Sequence, residues 1–364
     1  MRVLPPARIY DGHPMRAADA GNLATARRAV VAGGRVAWRT IRHRELPPAT
    51  FRLATGLAVW ALAFIIVSGA AVRLTGSGLG CADWPGCTTT QVVAPWQFHA
   101  WVEFGNRLIT GLVSIAVGLA VLAALIRAPR RRDLTWLSLG LVAGLIAEIV
   151  LGGLTVEHKL APGYVTAHFL LALVFLADAV ILHHRAALGD DSPPGRAGRA
   201  RPAGRPVAMV SREHLILSRL LLVACSVVCL LGTVVTSTGP HGGAPQAPRF
   251  AFSLHDVAQL HGTSVEVFLF FTIVTLWSMS RAGVPASVLR RGELLLVVLV
   301  AQGGIGYLQY FTGVPAALVA LHIVGVVSVV WATLVFNLGL YTRVPDTEEP
   351  TGPPLPAFTP ELVP

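Results

Sequence analysis

Glu103, His168, His261 and His322 each stand seven to nine residues inside a separate long apolar run. At 1.5 Å per helical residue, these four runs each hold an ionisable group at one depth, roughly 10 to 13 Å from the same surface. Ionisable groups inside a bilayer are costly and rare, so each is a functional candidate. A lone histidine near a helix end is more often a hydrogen-bonded packing residue than a ligand, but four groups at matched depth reverse those odds. Neutral imidazoles facing each other across a helical bundle suit bis-histidine haem ligation, and the bundle interior suits a flat apolar macrocycle. Zinc fits less well, because no cysteine or carboxylate set in these helices completes a tetrahedron. His261 and His322 form such a pair. His255 lies six residues from His261, about 240° of helical turn away, and cannot share its target.

His99, Glu103 and Asn106 follow one another at i, i+4 and i+7, on one helical face with Arg107 beside them. A histidine, a carboxylate and an amide in register form a reactive face, and Glu103 counts as the one buried carboxylate at histidine depth in this part of the chain. The plainer reading is that Glu103 and Arg107 form an i,i+4 ion pair that makes burying both tolerable, which leaves His99 unexplained. Just before this face, the Gly- and Pro-punctuated loop from Ser77 to Cys87 places Cys81 and Cys87 six positions apart. A bridge between them would be a structural staple or an exchangeable redox relay. Cys225 and Cys229, one turn apart in an apolar run, read as small packing residues. His183, His184 and His214 read as interfacial.

The elements that must position these groups belong in a membrane. Of 364 residues, 54% are hydrophobic and 13% charged, about half the charge of a soluble chain. Mean hydropathy is +0.63. Apolar runs at roughly 53–74, 96–126, 135–156, 163–184, 215–236, 254–280, 293–312 and 315–341 predict eight transmembrane helices, an all-α polytopic membrane protein with both termini on one side. The net charge of +10 does not indicate nucleic acid, because the basic residues alternate with the runs. Of 29 Lys and Arg, 25 fall on the side of the termini and three (Arg73, Lys159, Arg249) on the other, with Arg107 inside a run. The positive-inside rule makes both termini cytoplasmic and turns the Cys81–Cys87 loop outward. Residues 1–52 read as a flexible basic cytoplasmic arm, 53–184 as a four-helix half, 185–214 as a Pro/Gly/Arg-rich linker, 215–342 as a second four-helix half and 343–364 as a tail. The halves echo each other. Val72-Arg73-Leu74-Thr75-Gly76 is followed by Val235-Thr236-Ser237-Thr238-Gly239, and His99 by His255. Gly152-Gly153 with Pro162 and His168 is followed by Gly303-Gly304 with Pro315 and His322. Two tandem four-helix bundles related by a pseudo-two-fold along the membrane normal are expected.

Residues 53–342 resemble the haem A synthases, membrane enzymes of cytochrome oxidase assembly, of the cysteine-containing bacterial type. The resemblance rests on Val72-Arg73-Leu74-Thr75-Gly76-Ser77-Gly78-Leu79-Gly80-Cys81-Ala82-Asp83-Trp84-Pro85-Gly86-Cys87, on Glu103-Phe104-Gly105-Asn106-Arg107, and on single histidines in helices four, six and eight. It implies oxidation of the C8 methyl of haem O to a formyl group by successive hydroxylations, giving haem A in a bacterial cell membrane. The substrate would lie in the first half and an electron-passing haem b in the second. It further implies Glu103 as the essential acid, His168 as the first-half histidine and His261 and His322 as axial ligands of haem b. A quinol or other electron donor is an implied partner, as is the haem O synthase (protohaem farnesyltransferase) that makes the substrate. The family reads Glu-x-x-His-Arg here, so Asn106 occupies the histidine position and His99 is the expected substitute ligand. A di-haem b electron carrier would need the same histidines without Glu103, and a small-solute transporter would need the polar residues without haem.

Overall fold

The computed structural model describes residues 45–81, 83–191 and 199–345, so most of the basic arm and of the tail expected from the sequence lie outside the described residues. Among the described residues are eight helices long and apolar enough to cross a membrane. They are α1 (Pro48–Leu74), α2 (Phe98–Ile126), α3 (Arg132–Glu157), α4 (Pro162–Ala186), α5 (Arg212–Thr238), α6 (Leu254–Arg281), α7 (Ala286–Phe311) and α8 (Ala316–Leu338). This is an all-α, multi-pass membrane protein. The largest departure from the apolar runs is α7, which begins seven residues early and carries Arg290, Arg291 and Glu293 in its opening turns. Hydropathy marks the thickness of the hydrocarbon layer, whereas the helix is ended by its caps. Local chemistry sets several starts: Pro48 and Pro162 supply a fixed φ in the first turn, and Ser211 and Ser253 accept the backbone N–H groups of His214 and Asp256 at 3.4 Å.

In the first half α1 packs on α2 and α4, and α3 on α2 and α4; in the second, α5 packs on α6 and α8, and α7 on α6 and α8. The halves meet where α8 lies against α1 and α4, and where α4 lies against α5. Small residues such as Ala58, Ala120, Ala124 and Ala179 are buried at these contacts, while Trp60, Phe64, Leu112, Val174 and Val297 point outward. Apolar bulk on the outside and small residues inside is the packing expected against lipid tails.

One end of the bundle carries the Cys81–Cys87 loop and the opposite end carries the linker. At the disulfide end the α3–α4 and α7–α8 turns have one construction. Lys159 and Leu160 take φ of 55° and 60°, and Gly313 and Val314 take 80° and 59°. The Leu160 N–H reaches the Thr155 carbonyl at 2.9 Å and the Val314 N–H the Gln309 carbonyl at 2.8 Å. At this offset His168 corresponds to His322 and Gly152 to Gly306. The sequence echo had paired Gly152-Gly153 with Gly303-Gly304, three residues away, because the double glycine was the more visible signal.

The linker is more ordered than its composition implies. Arg130–Arg131 (β1) and Asp190–Asp191 (β2) both pair with Arg199–Pro202 (β3), and Arg205–Ala208 (β4) pairs antiparallel with Tyr341–Val344 (β5). Asp190 binds Arg127 Nη2 at 2.7 and 2.8 Å and lies 3.6 Å from Arg131 Nη1, with the two arginine side chains only 1% and 0% exposed. Removing one partner of a buried pair leaves an uncompensated charge. Asp190→Ala is therefore expected to cost about 3–5 kcal/mol and to lower the thermal unfolding midpoint of the detergent-solubilised protein. An unchanged midpoint would show that solvent reaches both arginines.

Candidate functional site

Counted from the helix starts, Glu103 is the sixth residue of α2, His168 the seventh of α4, His261 the eighth of α6 and His322 the seventh of α8. The four groups thus share one level to within two residues, as the apolar runs suggested.

In the second half the rings of His261 and His322 face each other with centroids 6.5 Å apart and planes at 74°. Two metal–nitrogen bonds of about 2 Å, plus about 1 Å from each nitrogen to its ring centre, give a similar span, so a metal ion fits between them. Each ring occupies space left by a glycine on the neighbouring helix. A Cβ on Gly232 would stand 3.1 Å from His261 Cε1, and one on Gly306 would stand 3.2 Å from His322 Cε1. His322 Nδ1 is buried without a hydrogen-bond partner; His261 Nδ1 is buried with the Val228 carbonyl beside it but outside hydrogen-bond geometry. Gln302 on α7 donates to the His322 carbonyl at 2.8 Å and fixes the register of α7 and α8 at this level. Buried polar atoms so arranged in an apolar bundle fit a ligand-bearing centre.

In the first half Glu103 is 6% exposed and both of its oxygens are engaged. Arg107 Nη2 donates to Oε1 at 2.6 Å, and the Cys81 N–H donates to Oε2 at 2.8 Å. Arg107 also donates to the carbonyls of Gly86 at 2.8 Å and Asp83 at 3.1 Å. The expected ion pair is present, and it holds the loop. Cys81 and Cys87 form a disulfide and are fully buried. The loop closes over the bundle end, with Trp84 against Gly153, where a Cβ would come within 2.8 Å of the indole. The preceding motif orients His99: Thr75 Oγ1 bonds Ser77 Oγ at 2.8 Å, and Ser77 Oγ bonds His99 Nδ1 at 2.9 Å. Nε2 of His99 is left available. Gly80 permits the close approach of the His99 carbonyl. Asn106 accepts a hydrogen bond from Ser68 on α1 at 2.7 Å.

His168 has a partner that the sequence reading did not identify. Its Nδ1 lies 2.8 Å from Glu148 Oε2 on α3, an ion-pair separation with angles outside hydrogen-bond geometry. Glu148, with its side chain 14% exposed, is a second, half-buried carboxylate in this half, less buried than Glu103. A carboxylate on Nδ1 orients a ligating histidine and leaves Nε2 to the metal. The signal was legible: Glu148 is nine residues from the end of α3 and His168 six from the start of α4, within one helical turn of each other's level in antiparallel neighbours. His99 is the second residue of α2, about 7.5 Å of helical rise nearer the disulfide end than the level of His168. Asn106, ninth in α2, is nearer that level.

Residues 52–335 match the family described as cytochrome oxidase assembly protein. The chain belongs to that family. Among its relatives is the heme A synthase of Geobacillus kaustophilus (strain HTA426), 33% identical over 115 residues, which are 30% of this chain and 35% of the relative. The heme A synthase of Geobacillus thermodenitrificans is 31% identical over 115 residues, with the same coverage of 30% and 35%. That of Lysinibacillus sphaericus (strain C3-41) is 29% identical over 119 residues, 32% of this chain and 39% of the relative. The matched stretch spans little more than a third of the length of these relatives.

In this family member, Arg107 ties the disulfide loop to the level of Glu103. Arg107→Met leaves Glu103 buried without its cation and removes the hydrogen bonds to Asp83 and Gly86. Thiol alkylation under mild reductant is expected to label Cys81 and Cys87 at least several-fold faster than in wild type, with no labelling of either before reduction. Equal rates would mean that the loop is held without the guanidinium.

Proposed function

We propose that this protein is a haem A synthase, which oxidises the C8 methyl of haem O to a formyl group by successive hydroxylations, with a haem b in the second half passing electrons. The observation that carries the reading is the His261–His322 pair, facing across 6.5 Å in spaces that Gly232 and Gly306 leave. Bis-imidazole haem supplies one-electron transfer when bound. His261 and His322 would hold it, and their apolar helices would exclude water from it.

The first half would take the substrate. His168 would offer Nε2 while Glu148 fixes its ring, and His99 is the second imidazole of this half, steadied by Ser77. Glu103 would act on the methyl edge, by accepting a proton or by stabilising cationic character at the carbon being oxidised. Both of its oxygens already accept hydrogen bonds. Taking up a proton would weaken both, since a carboxylic acid is a poorer acceptor than a carboxylate, and this couples chemistry at Glu103 to the Cys81–Arg107 loop.

The 25-to-3 partition of basic residues supports cytoplasmic termini and a place in the bacterial cell membrane. The recurring turn, with equal spacing from Gly152 to His168 and from Gly306 to His322, supports tandem halves. Haem O would arrive from the farnesyltransferase that makes it, and electrons from a quinol or another donor.

The test is pigment extraction and mass spectrometry of purified protein supplied with haem O. Haem A should accumulate; recovery of haem b alone would favour an electron carrier, and no pigment a transporter. His261→Ala and His322→Ala should each abolish the low-spin haem b spectrum, and an unchanged spectrum in either would remove the second-half assignment. Glu103→Gln keeps the size but presents an N–H to one of two donors. It should retain haem b while conversion falls by roughly 10²- to 10⁴-fold, the range of a lost acid–base group. Full conversion would reduce Glu103 to an anchor for Arg107. His99→Ala should instead weaken binding of the first-half haem, visible in its titration.

A further inference from the structure

Glu266 is the thirteenth residue of α6, five beyond His261, so it lies about 7.5 Å further along the helix and about 140° around it. It is exposed on the outside of the bundle. An exposed carboxylate this far into an apolar span faces hydrocarbon, which is expensive and marks function rather than packing. Across the α6–α7 seam, Tyr307 donates a hydrogen bond to Glu266 Oε1 at 2.6 Å. Side chains tilt toward the start of their helix, so Glu266 leans toward the disulfide end and Tyr307 away from it, and the two meet beside the histidine level. Tyr307 directly follows Gly306, the residue that makes room for His322.

A second polar couple lies on the same seam. His255 Nδ1 and Tyr310 Oη are 2.9 Å apart. His255 and Glu266 are eleven residues apart, within about 20° of one line on α6, and Tyr310 is one turn from Tyr307 on α7. Between them the seam is open: a Cβ on Gly262 or Gly303 would meet nothing within 4 Å. Tyr307 and Phe311 stack at 6.2 Å and present flat ring surface at its edge. The sequence reading left His255 without a role, because it cannot share the target of His261.

We propose that this seam binds a membrane-soluble hydroquinone, the reductant of the haem held by His261 and His322. The inference rests on the function proposed above. One hydroquinone hydroxyl would insert between the two side chains, donating to the Glu266 carboxylate in place of Tyr307 and accepting the Tyr307 hydroxyl, while the ring lies on the aromatic edge and the isoprenoid or alkyl tail stays in lipid. Oxidation to the quinone releases two electrons and two protons. The electrons pass singly to the haem, reducing ferric iron to ferrous in two successive turnovers. Glu266 takes the proton of the hydroxyl it holds, and the line through Tyr310 and His255 returns it to the disulfide end; the ring then turns end for end in the open seam and gives the second hydroxyl's proton to the same carboxylate.

The experiment uses the full chain in lipid nanodiscs. In haem-free protein under anaerobic conditions, decylubiquinol binding is followed by quenching of tryptophan fluorescence. Glu266→Gln and Tyr307→Phe should each weaken it about tenfold, the loss of one hydrogen bond to a charged group. In haem-loaded protein, stopped-flow reduction of the low-spin haem by decylubiquinol should slow by tenfold or more in both variants, while the spectrum and the reduction by dithionite stay as in wild type. Equal affinity and equal rate in both variants would overturn the proposal. So would loss of a dimer in Glu266→Gln with quinol binding intact, since the carboxylate would then face a second copy of the chain. A wild type that binds decylubiquinol through Glu266 but carries no low-spin haem would instead overturn the proposed function, and the redox role with it.

Discussion

Water does not reach the middle of eight apolar helices, so a polar side chain placed there has to be satisfied by another segment of the chain. That constraint organises this protein. Glu103 is satisfied by Arg107 and by the amide of Cys81, Glu148 approaches His168, Asn106 is bonded by Ser68, and Gln302 reaches the carbonyl of His322. Most of these contacts join two helices or a helix and a loop, so the groups suited to chemistry also fix the register of the elements that carry them. His261 and His322 are held differently. Their Nδ1 atoms gain no such partner, and the surrounding helices provide room rather than hydrogen bonds.

The two halves therefore treat their histidines differently. His168 has a carboxylate behind it, and Trp84 of the disulfide loop packs on Gly153, next to the Gly152 that faces its ring. The second-half pair has glycines behind it and neutral surroundings. An anionic partner makes an imidazole a stronger donor, whereas two neutral rings make a symmetric site. On the function proposed above, the first environment would serve bond-making on a substrate and the second the passing of electrons.

Much of this was legible in the sequence, because a bilayer simplifies the code. Apolar runs gave all eight helices, and counting residues inward gave the level shared by Glu103, His168, His261 and His322. The same simplicity hid other features. Glu148 and Glu266 sit inside runs apolar enough to pass as uninterrupted spans, and a search for histidines gave them no weight. Helix α7 began early because hydropathy reports the lipid and not the caps. Gly306 was overlooked beside the conspicuous Gly303-Gly304, since only the fold shows which glycine faces a ring. The distance between His99 and the level of His168 was also hidden, because α2 starts at Phe98 rather than at the apolar residues before it.

The short pairing of Arg205–Ala208 with Tyr341–Val344 brings the chain entering α5 beside the chain leaving α8. The second half is thus a closed module whose entrance and exit are neighbours. A segment with adjacent ends can be copied into or joined onto a pre-existing chain without rerouting either neighbour across the membrane. The clasp offers a topological reason why a four-helix unit of this kind lends itself to duplication, and it makes residue 344 the last point at which the chain could be shortened without unpairing the entrance strand.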